Sequence, residues 1–450
     1  MRAGTRRPAI CFPGTLLMSL LQTPFLTLVD PRAKVKGSRD PLGLQAVWVG
    51  LGRTVVGNLT TVSTLVRDFT ILMLGAHFVE RVRERGSEDS DLRIFLRFEL
   101  LASYARVECL GMRSGFRGVE RASQFLDEPP AGRVTLSAER GGQILQNQQA
   151  YGVWGLYTGP GRESSLLLQH EFRLSPAARD HLDGRVLKAL RPVEERIVDK
   201  LMKDGTELRV GKGGADRKVV EYLSRCLVPE FTAEEQDFYW RHLMLLSESD
   251  STQGRQQRLV RILEPDFDRR WSIPLLRELA QRARLQDDSC GLSECLQHIA
   301  LCDSLIAPAS RLFSYVLACD GLSRGDIAQK IYDKWGNSLE VPELGQFEEI
   351  HPRFGEVHPG VEDAWIDVVE ALNAADYGRV IDLLITINGH VMKERGGTPW
   401  AEWKGERLNV RFRDEESYLP TPQALKEELR FSYFLDSLCH VARQIRGEAQ

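Results

Sequence analysis

The segment GNLTTVSTLVRDFTILMLGAHFVERVRER at positions 57–85 constrains the fold more than any other part of the chain. Its apolar residues recur at steps of three and four from Val62 to Val82, which is the spacing of one helix face. The same helix carries charged residues, among them Arg67 and Asp68. Each such charge at the centre of a bilayer costs about 3 kcal/mol. We therefore predict a core helix of a soluble domain and not a membrane span.

The polar cluster at the start of this helix has two interpretations. Thr60 or Thr61 can cap the helix N-terminus through the hydroxyl oxygen. The same N-terminus, with Arg53 before the cluster and Arg67 one turn inside the helix, also suits a phosphate, because free backbone N–H groups and the helix dipole favour an anion. These four residues are candidate phosphate contacts, and plain capping with packing is the alternative.

Composition describes an ordinary globular chain. Its 450 residues suffice for two or three domains, and it is 42% hydrophobic and 27% charged. The net charge of −4 gives no general attraction to nucleic acid, so any such contact must be local. The eight cysteines form no CxxC pair, which favours a reduced, cytoplasmic compartment over a disulfide framework.

The N-terminal 1–40 segment resembles a leader. It has a basic start and a short apolar run, as a signal peptide does, but Pro13 and Gly14 interrupt that run. We predict a disordered leader, or a start at Met18 in place of Met1, and keep a signal peptide as the alternative. No stretch approaches 18 uninterrupted apolar residues, which indicates no transmembrane anchor.

The first two domains are predicted from helix and turn signals. Amphipathic helices at 92–110 and 116–126 follow the core helix and complete a helical N-terminal domain at 41–130. An α+β domain at 131–246 comes next. Aromatic and glycine residues alternate within 133–173, as they do in a hairpin or in the wing of a small winged-helix unit.

Two helix starts inside the α+β domain have clear capping signals. Ser175 followed by Pro176 places a serine at the cap and a proline in the first turn. Thr232 with Glu235 forms a capping box ahead of an apolar run.

A helical C-terminal domain is predicted for 255–450, after a polar linker at 247–254 that marks the best domain boundary. Its helices should break at the prolines Pro265, Pro274 and Pro308. The block 337–377 carries ten acidic residues and a single basic one.

Three elements are predicted toward the end of the C-terminal domain. A loop, HPRFGEVHPG, lies inside the acidic block, and a strand follows at 407–412. One long helix should cover 422–445. The fold class is thus mainly α and multi-domain, with a small α+β part that is winged-helix-like.

No catalytic, metal or cofactor signature survives inspection. The glycine-rich turn fails as a P-loop, because five residues separate Gly205 from Gly211 and Gly213 replaces the Ser/Thr that binds magnesium. Cys295, His298 and Cys302 share one helix face, whereas zinc sites normally use loops to close the tetrahedron, so we interpret them as core residues. We therefore predict no catalytic residues, no metal and no cofactor.

Charge segregation is the remaining functional signal. Residues 255–284 hold eight arginines against four acids, and Arg255, Arg258 and Arg261 share a helical face. Together with the acidic block, this pattern suggests docking to partners, with a phosphate contact at the basic side. The alternative is an ordinary solvated helix surface.

The order of features is similar to that of a loose group of uncharacterised bacterial proteins associated with anti-phage defence islands. The similarity rests on DPLGLQAVW, GNLTTVSTLVRDFTI, FLRFELLASYARVE, FRGVERASQFL, YGVWGLY and the terminal FSYFLDSLCHVARQI. It implies a defence component acting beside nuclease or ATPase partners and supplies no catalytic residues. We expect a cytoplasmic, non-enzymatic subunit of a DNA-directed assembly of several proteins, without membrane contact. The alternative is a stand-alone enzyme such as a divergent nuclease.

Overall fold

The computed structural model describes most of the chain and is mainly helical, with two small antiparallel sheets. The described residues are 40–248, 250–264, 266–286, 288–357, 360–412 and 418–448. The leader predicted for 1–40 lies outside them except for Asp40, and so does the helix break predicted at Pro265.

Two compact units divide the chain, and each contains segments that are distant in sequence. The larger unit consists of Ala46–Pro308, Glu340–Arg353 and Pro420–Gln450. The smaller unit consists of Met1–Gln45, Ala309–Leu339 and Phe354–Leu419, as far as these are described. This division differs from the predicted domains 41–130, 131–246 and 255–450.

The polar segment 247–254 lies within the larger unit and not at a boundary. Thr252 is completely buried there, and its backbone N–H donates to the Asp250 carboxylate at 2.8 Å. Gly57 packs so closely on this turn that a Cβ would lie 2.4 Å from the Ser251 hydroxyl. A polar composition therefore indicated a linker where the structure has a packed, side-chain-capped turn.

The helices of the larger unit alternate with short turns. They are Val66–Glu84, Asp91–Leu110, Val119–Asp127, Gln148–Tyr151, Val153–Glu163, Pro176–His181, Leu187–Leu190, Glu194–Leu201, Arg217–Arg225, Ala233–Tyr239, Arg255–Leu263, Ile273–Leu285, Leu344–Phe347, Pro422–Glu427 and Leu435–Arg446. Leu182–Val186 and Trp240–Met244 are π-helical turns, and Arg140–Gly142 is a 3-10 turn. Three further helices contain residues of both units: Leu44–Val55, Leu292–Leu317 and His351–Val357.

The core helix of the larger unit is Val66–Glu84, and every residue from Val66 to Val79 is buried. It packs against Asp91–Leu110 so closely that a Cβ on Gly75 would lie 2.2 Å from the Phe95 ring. The prediction of a core helix is confirmed. Neighbouring helices surround it, however, so its burial is not restricted to the single apolar stripe that the sequence shows.

The predicted start and cap of the core helix are wrong. The helix begins at Val66, and its N-cap residue Leu65 makes no side-chain capping bond. Thr60 instead accepts from the backbone N–H of Ser63 at 3.1 Å, which closes a tight turn before the helix. The Thr60 hydroxyl therefore stabilises the approach to the helix and not its first turn.

The segment 133–173 does not form the predicted hairpin as a pair of strands, and a single antiparallel bridge joins Leu167 to Leu174 at its end. Strand Arg133–Leu136 pairs antiparallel with Thr206–Arg209, a strand that follows much later in the chain. The aromatic and glycine-rich part is the helix Val153–Glu163, in which Trp154 and Tyr157 lie one turn apart and pack on Phe95 and Phe69. The three-residue spacing of these aromatic side chains is that of a helix, and it agrees with the structure. The glycines alone had suggested a hairpin or wing, which was an argument from composition.

Other helix signals of the sequence are confirmed. Ser175 caps Pro176–His181, and Thr232 with Glu235 forms the capping box of Ala233–Tyr239. Pro274 lies in the first turn of Ile273–Leu285. Pro308, in contrast, lies inside the helix Leu292–Leu317, which continues through it.

The helix Leu292–Leu317 is also the one helix of the described ranges that is long and apolar enough to cross a membrane. Its apolar window is 78% buried, as expected for a core helix.

The smaller unit combines helices with a β-hairpin. Its own helices are Arg324–Trp335, Glu362–Asn373 and Tyr377–Glu394, and Ala401–Lys404 pairs with Arg407–Val410. The predicted strand at 407–412 is thereby confirmed in its first four residues. The predicted loop HPRFGEVHPG is wrong in part, because His351–Val357 is helical, while His358 and Pro359 lie outside the described residues.

The predicted C-terminal helix is two helices, Pro422–Glu427 and Leu435–Arg446. Tyr433 and Phe434 between them have positive φ angles, which end the helical path. The buried carboxylate of Asp303 holds this connection, because it accepts from the Arg430 backbone N–H and from the Tyr433 hydroxyl, each at 3.2 Å. An anchor so distant in sequence could not be found from the local pattern.

Candidate functional site

Arg53, the first candidate phosphate contact, holds backbone in the structure. Its Nη1 donates to the carbonyls of Gly57 at 2.7 Å and Leu59 at 2.8 Å. Its guanidinium also lies 4.2 Å from the centre of the Phe434 ring. These contacts explain the residue without a ligand.

Arg67 is buried in the core and does not reach solvent at the helix start. It donates to the Glu235 carboxylate at 2.7 Å and to the Glu230 carbonyl at 2.7 Å, and it lies over the Phe231 ring. Breaking a buried pair of this kind is costly, so Arg67 has a structural role.

The N-terminus of the core helix is closed to an anion at its first two N–H groups. The Leu65 N–H donates to the Tyr157 hydroxyl and the Val66 N–H to Gln444 Oε1, each at 3.1 Å. The Thr60 hydroxyl forms a hydrogen bond with the Ser63 hydroxyl at 2.9 Å. Thr61 is exposed and lines a groove formed with the C-terminal helix. The structure does not bring Arg53, Thr60 and Arg67 together around an open space, and their contact with phosphate stays a prediction.

The second candidate set lies on the helix Arg255–Leu263. Arg255 Nε donates to the Thr54 carbonyl at 2.7 Å, and Arg258 donates to the carbonyl of Gln286. Arg261 is exposed. This helix packs on Ile273–Leu285, at whose C-terminal end Arg284 is also exposed.

We call Arg255, Arg258, Arg261 and Arg284 the arginine surface. None of the four forms an ion pair with a carboxylate of the described residues. Many exposed arginines elsewhere in the described chain do, as Arg173 does with Glu80 at 2.9 Å. Arg261 and Arg284 are exposed, whereas Arg255 and Arg258 are half-buried. The sequence located the first three of these residues, and Arg284 became part of the set only through helix packing.

A groove of about 570 Å³ in the larger unit was not found from the sequence. Its volume falls in the range of small-molecule sites. The helix Leu435–Arg446 forms one wall and the loop 267–271 another, and Thr61, Thr64 and Ser432 are among the polar residues that line it. These parts are hundreds of residues apart in sequence, so no local pattern could indicate that they meet.

One face of the helix Leu435–Arg446 supplies the charged lining of the groove. Asp436, His440 and Arg443 are spaced by four and three residues and therefore share that face. Burial and the neighbouring Arg443 charge lower the pKa of His440, which keeps its imidazole mostly neutral at pH 7. Within the described ranges, Arg443 forms no ion pair, and its buried Nε has no hydrogen-bond partner.

A second polar cluster lies deep between the helices Val66–Glu84, Asp91–Leu110 and Val153–Glu163. Asp68 and Arg106 form a buried ion pair at 2.7 Å. The Glu99 carboxylate accepts from the Val153 N–H at 2.7 Å and from Gln148 Nε2 at 2.9 Å. Burial raises the pKa of Glu99 to about 7.

Perturbed pKa values of this kind often mark active sites, but this cluster has no room for a substrate. The cavity beside it measures about 10 Å³, close to the space of a single water molecule. Glu99 instead caps the helix Val153–Glu163, and Gly152 is required there because a Cβ would lie 2.6 Å from the carboxylate. The cluster is therefore structural.

A pH dependence of stability follows from Glu99. Because its pKa is about 7 in the folded protein and 4.5 in the unfolded chain, the folded state favours the protonated form. Its contribution to the free energy of unfolding is complete below pH 4.5 and is lost as pH rises through about 7. The loss is on the order of 3 kcal/mol. Urea unfolding between about pH 5 and pH 8 measures it.

The variant Glu99→Gln should reduce this pH dependence, and Glu120→Gln, on an exposed side chain, should leave it unchanged. Asp303, whose pKa burial also raises to about 7, contributes a similar decline in both variants. An unchanged pH profile in Glu99→Gln would show that Glu99 is ionised in the folded protein.

The cysteines and histidines give no metal centre in the described part of the chain, where no group of three or more potential ligands is placed to hold an ion. Cys302 is completely buried, and burial raises the pKa of its thiol far above the usual value. His298 lies near the carboxylates of Glu294 and Glu349 at 3.9 and 3.7 Å.

Comparisons with known proteins add no identification. No protein-family model matches the chain, no curated protein matches its sequence, and no solved structure matches its fold. The similarity to proteins of defence islands stays a prediction.

Proposed function

We propose that this protein is a non-enzymatic subunit of a multi-protein, DNA-directed assembly, and that its arginine surface contacts DNA phosphates. The observation that carries the proposal is the absence of carboxylate partners for Arg255, Arg258, Arg261 and Arg284 among the described residues. A guanidinium that no carboxylate neutralises remains available for a phosphate. Arg255 and Arg258 each keep further N–H donors, because a guanidinium has five.

Contacts with partner proteins are the second part of the proposal. The chain has a net charge of −4 and an acidic block at 337–377, which suits a basic protein surface better than DNA. Leu285, next to Arg284, is 78% exposed and offers an apolar contact beside the arginine surface. We propose anti-phage defence as the setting, because the order of sequence features is similar to that of proteins associated with defence islands.

A cytoplasmic location is part of the same proposal. The seven cysteines of the described residues are all free thiols. Free thiols are usual in a reducing compartment.

The salt dependence of DNA binding tests the proposal. Each phosphate contact releases counterions and contributes about 0.9 to the slope of log affinity against log salt. Replacing Arg255, Arg258 and Arg261 with glutamine should therefore reduce that slope by about two to three units. Fluorescence anisotropy with a labelled duplex, from about 50 to about 300 mM salt, measures the slope.

The control variant replaces three arginines that are exposed but paired with carboxylates, Arg173, Arg209 and Arg241. It removes the same charge and should change the slope much less. Equal slopes in the two triple variants would show that the salt dependence comes from the net charge of the protein and not from the arginine surface. Absence of binding by the wild type at every salt concentration would leave the surface an ordinary solvated face.

The alternative function, a stand-alone enzyme such as a divergent nuclease, is favoured by the polar groove alone. Incubating the same duplex with the protein and magnesium separates the two functions. Cleavage that is lost when Asp436 is replaced by asparagine would favour the enzyme.

A further inference from the structure

We propose that the groove between loop 267–271 and the helix Leu435–Arg446 binds one nucleotide through its phosphate monoester, with the phosphate at Arg443 and the hydroxyl or amino groups at Asp436. This goes beyond the proposed function and uses different residues from the arginine surface.

The phosphate end of the groove is defined by Arg443. Its guanidinium lines the groove without an ion pair to any carboxylate of the described ranges, and its Nε is shielded from solvent. Gln444, the next residue, donates to the Thr64 carbonyl at 2.6 Å, which places Thr64 at this end of the helix. Thr61 and Thr64 belong to the same lining and add hydroxyl donors to it, and an anion with several acceptor oxygens suits this set.

The opposite end of the groove accepts hydrogen bonds. Asp436 lies two turns before Arg443, about 10 Å along the helix axis. Neither Asp436 nor Asp268, the other carboxylate of the lining, forms an ion pair within the described residues. Carboxylates accept from hydroxyl and amino groups and repel phosphates, so this end selects the sugar or base of a ligand whose phosphate is at Arg443.

Two aromatic residues belong to the lining of the groove. Phe267 and Trp271 line the groove and are 2% and 4% exposed. The indole N–H of Trp271 is buried, and no oxygen of the described residues accepts from it. The thiol of Cys439 beside it is only a weak acceptor. Because this N–H is shielded from solvent, Trp271 offers the groove its ring and not a hydrogen-bond donor.

The charge pattern decides between ligands. Two other arginines of the lining are already paired, Arg269 with Glu278 at 2.8 Å and Arg270 with Glu428 at 2.5 Å. The groove is therefore not a basic channel, and a continuous run of phosphodiesters would meet Asp268 and Asp436. One phosphate with neutral, donor-rich atoms about 10 Å away fits, as in a mononucleotide. The 5′-phosphorylated end of a strand presents the same chemistry.

Isothermal titration calorimetry of the full chain tests the site, with adenosine monophosphate, adenosine and inorganic phosphate as probes. We expect adenosine monophosphate to bind more tightly than either fragment. Arg443→Gln should weaken its binding by about 10- to 100-fold, which corresponds to one charged hydrogen bond, and should leave adenosine binding unchanged. Asp436→Asn, on an exposed side chain, should weaken adenosine and leave phosphate binding unchanged.

The control Arg241→Gln removes an exposed arginine that is paired with Asp237 and does not line the groove. Two oligonucleotides, one with and one without a 5′-phosphate, distinguish a strand end from a free nucleotide. If the groove takes a strand end, the phosphorylated oligonucleotide binds through Arg443 and the other does not. If it takes only a free nucleotide, neither oligonucleotide binds. The inference is overturned if no phosphorylated probe binds at millimolar concentration, or if Arg443→Gln binds them as the wild type does. If duplex DNA binding showed no dependence on the arginine surface, these nucleotide results would not change. The two proposals can therefore fail separately.

Discussion

Replacing Leu72 by aspartate is expected to unfold the larger unit. Leu72 is completely buried in the core helix and packs so closely that a Cβ on Gly161 would lie 2.4 Å from its Cδ2. The substitution places a carboxylate among apolar side chains without a partner and also removes the packing of the leucine. Together these effects should lower the free energy of unfolding by more than about 4 kcal/mol, a large part of the stability of a typical domain. Circular dichroism during heating measures the loss.

Leu285 provides the matched control, because the same substitution on this 78% exposed leucine should change the free energy of unfolding by less than about 0.5 kcal/mol. A Leu72→Asp protein that remains soluble and melts at the wild-type temperature would contradict the assignment of the core.

Replacing Asp68 by alanine is expected to cost about 3–5 kcal/mol, the loss typical of a broken buried ion pair. Asp68 and Arg106 are 5% and 4% exposed in their side chains and lie 2.7 Å apart. The variant leaves the Arg106 guanidinium charged and buried without its partner. Urea unfolding should be measured at about pH 5, where Glu99 is protonated because its pKa is about 7. At higher pH an ionised Glu99 can replace part of the lost negative charge.

Asp237→Ala is the matched control, since Asp237 pairs with Arg241 at 2.9 Å on the surface. Exposed pairs of this kind contribute about 0–1 kcal/mol, so the control should be nearly neutral. Equal losses in the two variants would mean that burial of the Asp68 pair has no energetic consequence. A loss in Asp68→Ala that becomes smaller from pH 5 to pH 8 would show that Glu99 compensates.

Local signals were sufficient where a few neighbouring residues determine the structure. Ser175 with Pro176 and Thr232 with Glu235 both start helices as predicted, because capping bonds join residues that are close in sequence. The Pro308 prediction failed since the surroundings of a buried helix can hold it together despite the lost hydrogen bond.

Some candidate site residues could likewise be found from local spacing, and others could be judged only from the fold. Arg255, Arg258 and Arg261 were found from the sequence because helical spacing alone places them near each other. Arg53 and Arg67 were not distinguishable from ligand-binding arginines, because the carbonyls and carboxylate that they contact belong to turns and helices whose positions only the fold determines.

The sequence by itself determined that this chain is mainly helical and that a core helix covers 66–82, since both follow from apolar spacing along a continuous segment. Only the tertiary structure decided the two units, the pairing of Arg133–Leu136 with Thr206–Arg209, and the groove between loop 267–271 and the last helix. Each of these depends on contacts between residues far apart in the chain. Such contacts arise from packing, in which every buried surface must match another, and they leave no periodic trace in the sequence.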